Sequence, residues 1–371
     1  MPWPRFRARL PIRDQKGNLR RHGRQRSPLL PTPRLAESPS SSRTTRGRPG
    51  PLAIYYEHPV WFERLFAELD RRGTPYVKVD AAAHLYDPAE LAADAADHRF
   101  SVVFNRMSPS AYRRSHAQVF YTLHYLAGLE LAGKRVVNGA RAFRHETSKA
   151  LQLSLLRSLG LPAPRARVIH DAAQAVAAAA GLRYPIVVKP NVGGSGAGVT
   201  RYDSPEALAS AAAAGSVDLG LDHVALVQEF IPARDGHITR VEVVGGRYLY
   251  GIKVFLSGET FDLCPADICK TASGVELAST CAVEAPKAGL RVEGFTPPPE
   301  VIAAAERVMQ QAGIDVGGIE YVIDDRDGQL YFYDVNALSN FVADGRRVIG
   351  FDPFLPLVDY LEAEMEAHDA R

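Results

Sequence analysis

Charged side chains at regular spacing around a pair of glycines are the first candidates for chemistry. The stretch ITRVEVVGGRYLYGIKVF, residues 238–255, alternates on both sides of its glycine pair, which predicts a hairpin with a two-residue turn. That turn sets Arg240 opposite Gly251. It also brings Arg240, Glu242 and Lys253 to one face of the hairpin. Two cations and a carboxylate on one face suit a polyphosphate with its metal; the alternative is an exposed face crossed by salt bridges.

A second predicted hairpin, GGIEYVIDDRDGQLYFYDVNALSN, carries the acidic residues Glu320 and Asp334 together with Asn336. A two-residue loop, Asp327-Gly328, would leave Glu320 on the face opposite the other two side chains. A three-residue loop, with Gly328 left-handed in a bulge, pairs Glu320 with Asp334, and all three side chains then converge. Carboxylate and amide oxygens are the ligands that Mg²⁺ prefers. We therefore predict a metal site on this hairpin.

A glycine-rich loop follows a β-like segment in VVKPNVGGSGAGVTRYDSPEAL, residues 187–208. It matches neither the Walker A loop nor the dinucleotide fingerprint, and both of those motifs open directly into a helix. Here the β-branched segment VTRY comes first, and the helix start Ser204-Pro205-Glu206 follows. The pattern predicts a strand–loop–strand flap whose backbone N–H groups close over phosphate oxygens. A glycine-rich hairpin loop without a ligand is the alternative.

The elements that must position these residues indicate an α/β protein whose C-terminal part is α+β. From residue 52 the order β-α-β-α-β predicts a parallel sheet with flanking helices. Ligands in such sheets lie beyond the carboxyl ends of the strands, where Asn105 and Arg106 stand. Arg106 either binds a substrate carboxylate or is solvated in a loop. The predicted segments are an extension (1–50), an N-terminal α/β domain (51–139), a central subdomain with the flap (140–222) and a C-terminal subdomain with the metal site (223–365).

Charge is distributed unevenly along the 371 residues. Residues 1–50 carry twelve arginines and one lysine against two acids, so their net charge is +11; the total of +2 leaves −9 for residues 51–371. The basic segment is rich in Pro, Ser and Arg without hydrophobic periodicity, which is typical of a disordered extension. A solvated extension without a specific role is the main interpretation; a transit peptide or an arm that contacts nucleic acid is the alternative.

The remaining composition argues for a reducing compartment and against a membrane. No run of about 18 apolar residues is present, so we expect no membrane-spanning helix. The three cysteines, Cys264, Cys269 and Cys281, form no C-x-x-C pair and cannot all be paired, which favours a cytoplasmic location. A zinc site built from them would need a His or Asp as the fourth ligand.

Taken together, these motifs resemble the ATP-grasp superfamily, in the branch of glutathione synthetase and the ribosomal-protein glutamate ligases. The matching run is K-P-x-x-G-[SG]-x-G-x-G-V, starting at Lys189 and ending at Val199. VQEFIP matches the hinge that holds adenine through backbone groups, and Lys149 matches the first nucleotide-binding lysine. The resemblance covers roughly residues 53–363. It implies an ATP-grasp fold preceded by a parallel-sheet pre-ATP-grasp domain.

The resemblance also implies roles for individual residues. It implies that ATP binds with Mg²⁺, Mn²⁺ being an alternative. The substrate contacts predicted from position are Arg106 and Asn340. The residues expected to bind the nucleotide are Lys149, Lys189, Gly193, Gly194, Ser195, Gly196, Gly198, Gln228, Glu229, Phe230 and Ile231. The implied metal ligands are Glu320, Asp334 and Asn336, and the implied catalytic cations are Arg240 and Lys253.

Three departures from the family pattern concern the substrate. The D-x-R sequence of the family reads Ile238-Thr239-Arg240 here, so its acidic group is missing. The basic pair at the end of the second strand is reduced to Lys253. Residues 256–296 match no substrate loop of the family.

The function implied by the resemblance is an ATP-dependent carboxylate–amine ligase that works through an acyl-phosphate and adds an amino acid such as glutamate to a small molecule or a peptide. An ATP-binding regulatory module of the synapsin type and an ATP-dependent small-molecule kinase are the alternatives. The identities of the acid and the amine are open, as is homo-oligomerisation.

Overall fold

The computed structural model describes residues 50–91, 100–194, 198–256 and 291–369. The predicted extension therefore lies outside the described residues, apart from Gly50. Ser195 and Gly196 of the flap, the three cysteines and most of the segment 256–296 also lie outside them. The described residues form one compact unit.

The first sheet has four parallel strands in the order β2-β1-β3-β4, as the β-α-β pattern predicts. Its first helix ends where Gly73 adopts the left-handed conformation with φ 70°, which few other residues tolerate. The strands are β1 (Leu52–Tyr56), β2 (Tyr76–Asp80), β3 (Val102–Arg106) and β4 (Arg135–Val137), and the helices are α1 (Glu63–Arg72) and α2 (Ala117–Leu131).

The second sheet is antiparallel, in the order β5-β8-β6-β7. Strand β8 lies beyond the predicted boundary at residue 222, yet it pairs with β5 and β6, so this sheet extends to Glu229. Its strands are β5 (Ala166–Ile169), β6 (Ile186–Pro190), β7 (Thr200–Tyr202) and β8 (Ala225–Glu229). The helices are α3 (Ala140–Glu146), α4 (Lys149–Ser158), α5 (Ala175–Ala179) and α6 (Pro205–Ala213).

The third sheet has five antiparallel strands in the order β11-β10-β9-β12-β13 and contains both predicted hairpins. Its strands are β9 (His237–Val244), β10 (Arg247–Phe255), β11 (Val292–Gly294), β12 (Val316–Ile323) and β13 (Leu330–Asn336). The helices of this part are α7 (Pro299–Ala312), α8 (Gly345–Val348) and α9 (Phe354–Asp369).

Each hairpin contains a bulge that sets its register. In the first hairpin the register shifts between Tyr248 and Tyr250, so Arg240 lies opposite Ile252 and Lys253 lies opposite Thr239. Directly opposed residues share a face, and successive residues alternate. The prediction that Lys253 shares a face with Arg240 is therefore wrong.

In the second hairpin Glu320 lies opposite Asp334, as the three-residue loop predicts, but the cause is different. Asp324 N–H donates to the carbonyl of Gln329 at 2.9 Å, so the loop between them has four residues. The extra residue is Tyr333, because the register shifts between Glu320 and Tyr321. The pairing of the two carboxylates is thus set by a bulge, and Gly328 is left-handed with φ 75°, as predicted.

Two hydrophobic clusters cover the two faces of the third sheet. One joins β1, β3 and α1 of the first sheet to helix α9 through residues that include Ile54, Phe62, Leu357 and Leu361. The other packs α4 and α7 against the opposite face. Among the described residues, no helix has the length and apolar character needed to cross a membrane.

Candidate active site

Three charged side chains form a row across neighbouring strands of the third sheet. Arg240 of β9 lies opposite Glu320 of β12, which lies opposite Asp334 of β13. Arg240 donates from Nη1 to Glu320 Oε1 at 2.9 Å and from Nε to Glu242 Oε1 at 2.6 Å. The hydroxyl of the bulged Tyr333 donates to Glu320 Oε2 at 2.7 Å. Arg240 and Glu320 are buried and Asp334 is partly buried, and the row orders a guanidinium beside two carboxylates.

Two lysines from other elements reach this row. Lys149, the first residue of α4, donates from Nζ to Asp334 Oδ1 at 2.8 Å. Lys189 comes from β6 of the second sheet and is 6% exposed. The structure therefore brings Lys149, Lys189, Arg240, Glu320 and Asp334 together, as expected for a site that binds a polyphosphate.

Burial and mutual charge shift the pKa values of these groups. Burial lowers the pKa of Lys189 to about 7, and the Lys149 ammonium adds to this effect, while Asp334 and Glu320 oppose it. Burial alone would raise the pKa of Asp334, but the ammonium groups of Lys149 and Lys189 hold it below its usual range. Burial raises the pKa of Glu320 against the effect of Arg240. Strongly shifted groups in one cluster are typical of functional sites.

Glu146 belongs to the same cluster and was not predicted from the sequence. It ends α3, is 6% exposed, and its carboxylate accepts a hydrogen bond from the backbone N–H of Ala337. Burial raises its pKa to about 7, while that hydrogen bond lowers it. The sequence contains one signal for Glu146. A carboxylate in the last turn of a helix interacts unfavourably with the helix dipole, so its position there indicates a role outside the helix.

Asn191 hydrogen-bonds the base of the flap to the helix that carries Lys149. Its Oδ1 accepts from Ala150 N–H at 2.9 Å and from Ser148 Oγ at 3.1 Å, and its carbonyl accepts from Lys149 N–H at 3.2 Å. Ser148 is the N-cap of α4, and its hydroxyl accepts from Leu151 N–H. Asn191 stands directly after Lys189-Pro190 of the glycine-loop motif, but nothing in the motif identified its role.

The flap has the predicted strand–loop–strand form. Strands β6 and β7 are antiparallel, and Ser204 caps α6 with Pro205 as its first residue. Gly198 has φ 74°, and a Cβ there would lie 2.8 Å from Pro190 Cγ. The structure places Gly193, Gly194 and Gly198 in this loop, after Lys189.

The predicted adenine hinge follows β8. Several of its backbone groups are already hydrogen-bonded to other residues of this chain. Glu229 N–H donates to the carbonyl of Arg165, and Phe230 N–H donates to that of Pro185. The Phe230 carbonyl accepts from Arg326 at 3.0 Å. Gln228 is buried, and its Oε1 has no hydrogen-bond partner among the described residues. Adenine binding between Gln228 and Ile231 stays a prediction.

The predicted substrate residues and the predicted catalytic Lys253 lie in different places. Arg106 is 2% exposed, so the solvated alternative is wrong, and its Nη2 donates to Asn340 Oδ1 at 3.1 Å and to the carbonyl of Ser339. The two predicted substrate residues are therefore in contact. Lys253, on the other face of the hairpin, stacks over the Phe295 ring at 4.5 Å, so its predicted catalytic role has no support from this geometry.

The residue types of the row fit a magnesium ion. Glu320 and Asp334 face each other, and Asn336, two residues further along β13, donates from Nδ2 to Asp334 Oδ2 at 3.1 Å. Two carboxylates and one amide are oxygen ligands of the kind that Mg²⁺ binds together with substrate phosphates. No cluster of three or more His, Cys, Asp or Glu suited to a metal occurs in the described ranges, so the amide is needed to complete this set.

Comparison with known proteins identifies a domain in this region. Residues 146–259 match the model of the RimK-like ATP-grasp domain. The chain is 27% identical over 212 residues to D-alanine–D-alanine ligase of Ectopseudomonas mendocina, an alignment that covers 57% of this chain and 60% of the relative. It is 29% identical over 189 residues to the ligase of Actinobacillus succinogenes, covering 48% and 56%. The matches thus span about three-fifths of the length of these curated relatives.

Solved structures share the fold over most of the described chain. The ATP-grasp ligase PsnB, complexed with a minimal precursor, has a TM-score of 0.59 at 19% identity and covers 85% of this chain and 99% of its own. D-cycloserine synthetase DcsG has the same TM-score at 18% identity and covers 85% and 100%. The predicted ATP-grasp fold is confirmed.

Proposed function

We propose that this chain, which has the ATP-grasp fold and matches the RimK-like ATP-grasp domain over residues 146–259, is an ATP-dependent carboxylate–amine ligase. The observation that carries the proposal is the convergence of Lys149, Lys189 and Arg240 with the acidic pair Glu320 and Asp334 around one row of the third sheet. Phosphoryl transfer needs positioning and charge neutralisation more than covalent chemistry, and this row supplies both.

The proposed reaction has two steps. The substrate carboxylate attacks the γ-phosphorus of ATP, which releases ADP and forms an acyl-phosphate. An amine then attacks the acyl carbon, and the amide forms as inorganic phosphate leaves and the amine loses a proton. Lys149 and Lys189 would hold the α- and β-phosphates, Arg240 would stabilise the transferred phosphoryl group, and the flap would exclude water.

Glu320, Asp334 and Asn336 would hold Mg²⁺, which supplies positive charge against the phosphate oxygens when it is bound. Lys149 and Arg240, which now neutralise the two carboxylates, would then face the phosphates as well as the acids.

The acid is proposed to be a small molecule or a peptide and the amine to be an amino acid. The named relatives support this range, because two are D-alanine–D-alanine ligases and a structural neighbour is complexed with a peptide precursor. A cytoplasmic location stays a prediction.

The proposal is tested by incubating the protein with MgATP and pools of amino acids and small carboxylic acids, while ADP and inorganic phosphate are both measured. A ligase releases equal amounts of ADP and phosphate, and hydroxylamine traps its acyl-phosphate as a hydroxamate. A kinase releases ADP without phosphate, and a regulatory module releases neither. Either of these last two results, in pools that include peptides, would overturn the proposal.

A further inference from the structure

Strand β13, which carries the proposed metal ligands Asp334 and Asn336, is an edge strand of the third sheet. On its inner side Asp334 lies opposite Glu320 of β12, and Asn336 lies opposite Gly318. On its outer side no further strand pairs with it among the described residues, although the backbone groups of alternate residues point there. Buried backbone groups need hydrogen-bond partners, so other parts of the chain must supply them on this side.

The side chain of Gln152, on helix α4, takes the place of a neighbouring strand at one residue of β13. Its Oε1 accepts from Val335 N–H at 3.2 Å, and its Nε2 donates to the Val335 carbonyl at 2.8 Å. A side-chain amide has both an acceptor and a donor, so it can replace both groups that a paired strand would offer. Val335 lies between Asp334 and Asn336, and these two bonds therefore hold the two peptide units that join the proposed ligands.

Gln152 is itself held in one orientation. It is 2% exposed, and its Nε2 also donates to the carbonyl of His145 in α3 at 2.8 Å. If its oxygen and nitrogen exchanged places, an N–H group would face the N–H of Val335, and an oxygen would face two carbonyls. Only one orientation therefore satisfies all three contacts. Gln152 thus links α3 and α4 to the segment of β13 that carries the proposed ligands.

The residue on the other side of Asn336 is held by buried side chains as well. Ala337 N–H donates to the carboxylate of Glu146, and the Ala337 carbonyl accepts from Asn138 Nδ2. Asn336 donates from its own Nδ2 to Asp334 Oδ2 at 3.1 Å, so its side-chain oxygen, the atom that would bind a cation, is turned away from that bond. The backbone is therefore fixed on both sides of Asn336, and Gln152 contributes the part that lies between the two proposed ligands.

We propose that Gln152 is a positioning residue of the magnesium site, which acts through Val335 to hold the Asp334 carboxylate and the Asn336 amide in the directions that the ion requires. Mg²⁺ demands near-ideal octahedral geometry, whereas Ca²⁺ accepts longer distances and variable ligand numbers. Groups that orient metal ligands typically contribute about 10–100-fold to metal affinity. The inference rests on the proposed function, because that function supplies the metal ligands.

The inference is tested by electron paramagnetic resonance of Mn²⁺, which measures the free ion, with the full chain and a non-hydrolysable ATP analogue. The analogue alone is the blank, and no acid or amine substrate is needed. Mg²⁺ and Ca²⁺ are then added as competitors, so that their affinities follow from the displacement of Mn²⁺. Gln152→Met keeps the length of the side chain but loses both bonds to Val335. We expect it to bind Mn²⁺ about tenfold more weakly or worse, and its preference for Mg²⁺ over Ca²⁺ should fall.

A second variant and a control separate positioning from stability. If Gln152→Met does not fold, Gln152→Asn keeps an amide in the buried position, but it is one methylene too short to reach both groups of Val335, and Mn²⁺ binding should again weaken. The matched control is Ser154→Ala, whose hydroxyl bonds to the Ala150 carbonyl on the exposed side of the same helix, and it should bind Mn²⁺ like the wild type. Urea unfolding without metal gives the stability of each variant independently of its metal affinity.

The outcomes separate this inference from the proposed function. Folded Gln152 variants with lower stability but unchanged Mn²⁺ affinity and unchanged Mg²⁺ preference would overturn the inference and leave the ligase standing. Weakened Mn²⁺ binding, in a protein that releases no phosphate from ATP with any acid, would leave the inference standing and remove the ligase. A wild-type chain that binds no Mn²⁺ beyond the blank would remove the metal site, and the inference with it.

Discussion

At the scale of single residues, each carboxylate of the proposed metal pair has a cation of its own. Lys149 bonds to Asp334, and Arg240 bonds to Glu320. Buried ion pairs gain little net stability, since desolvation offsets most of their attraction. The arrangement is therefore better explained by the chemistry of the site than by folding.

Asp334→Asn is expected to lower turnover by about 100-fold or more, because it removes a charged ligand of the proposed metal and the partner of Lys149. The measurement is phosphate release with saturating MgATP once an acid substrate has been found. Asp325→Asn is the matched control, since Asp325 lies on the same hairpin with an exposed side chain and only a 3.9 Å contact to Arg234. Turnover of the Asp334 variant within a few-fold of the wild type would exclude this residue from the site.

Lys189 predicts a proton linkage to ATP binding. Its pKa is about 7 in the free protein, and a bound phosphate would raise it because the anion favours the ammonium form. Above pH 7 binding therefore takes up a proton, and affinity falls as the pH rises, by at most about tenfold per pH unit for one proton. Below pH 7 the lysine is already charged, and the dependence flattens.

The linkage is measured by titration calorimetry of an ATP analogue in two buffers with different ionisation enthalpies at pH 8. Lys189→Met should lower the buffer-dependent heat by the part that one proton contributes, while Lys78→Met, which alters an exposed lysine stacked over Phe66, should leave it unchanged. Equal proton uptake by the Lys189 variant would assign the linkage to another group.

At the scale of elements, the flap depends on backbone conformation at Gly198. Gly198→Ala adds a Cβ in the left-handed region, at a cost of about 1–2 kcal/mol, and places it against Pro190. If that strain acts on the closed flap, we expect KM for ATP to rise roughly 5–30-fold. Gly215→Ala is the control, because Gly215 has φ 66° in the same subdomain with nothing near its Cβ position. Equal effects of the two substitutions on KM would show that general strain is responsible.

A second prediction at the scale of elements concerns the hydrogen bonds of Asn191. Asn191→Ala removes the acceptor of Ala150 N–H and Ser148 Oγ and the donor to Asp222, so we expect the free energy of unfolding to fall by about 1–3 kcal/mol. Turnover should fall as well, since the helix start that positions Lys149 loosens. Ser154→Ala on the exposed side of the same helix is the control. Urea unfolding and phosphate release are the measurements, and normal turnover would show that these hydrogen bonds do not position Lys149.

Much of the element order could be read from the sequence because its signals are local. Gly73 ends α1, Ser204-Pro205 begins α6, and the paired glycines turn the first hairpin, each through conformational preferences of neighbouring residues. The bulges could not be predicted. One extra residue moves a side chain to the other face at little local cost, and in the first hairpin this places Lys253 on the face opposite to the predicted one. In the second hairpin the bulge and the four-residue loop together give the pairing that a three-residue loop predicts.

The residues that sequence analysis missed are defined by long-range contacts. Glu146 bonds to a backbone group 191 positions away, and Asn191 bonds to Ser148 and Ala150, more than 40 positions away. In the sequence Glu146 is an ordinary acid at the end of a helix, and only its unfavourable position in the helix dipole sets it apart.

At the scale of the whole molecule, helix α9 closes the core that the first and third sheets share. It packs against α1 and β3, and Arg72 of α1 donates to Asp359 and Glu362 on it. Because both sheets bury apolar surface against the same helix, we expect the first and third sheets to unfold in one cooperative transition.

Leu361→Ala tests this cooperativity. The fully buried side chain lies in the shared cluster, so the free energy of unfolding should fall by about 2–5 kcal/mol. Leu131→Ala, at a position that is 90% exposed, should change it by less than about 0.5 kcal/mol. Urea unfolding is followed by far-ultraviolet circular dichroism and by limited proteolysis, and a separate early transition of the first sheet would contradict the shared core.

The position of α9 also has a consequence for biosynthesis. The apolar faces of β1 and α1 leave the ribosome early, but the helix that covers them is encoded about 300 residues later, which at 5–20 residues per second is a delay of roughly 15–60 s. During that interval the nascent chain exposes Ile54, Phe62 and their neighbours. Production of this protein should therefore depend more on chaperone capacity and on the rate of translation than its final stability would suggest.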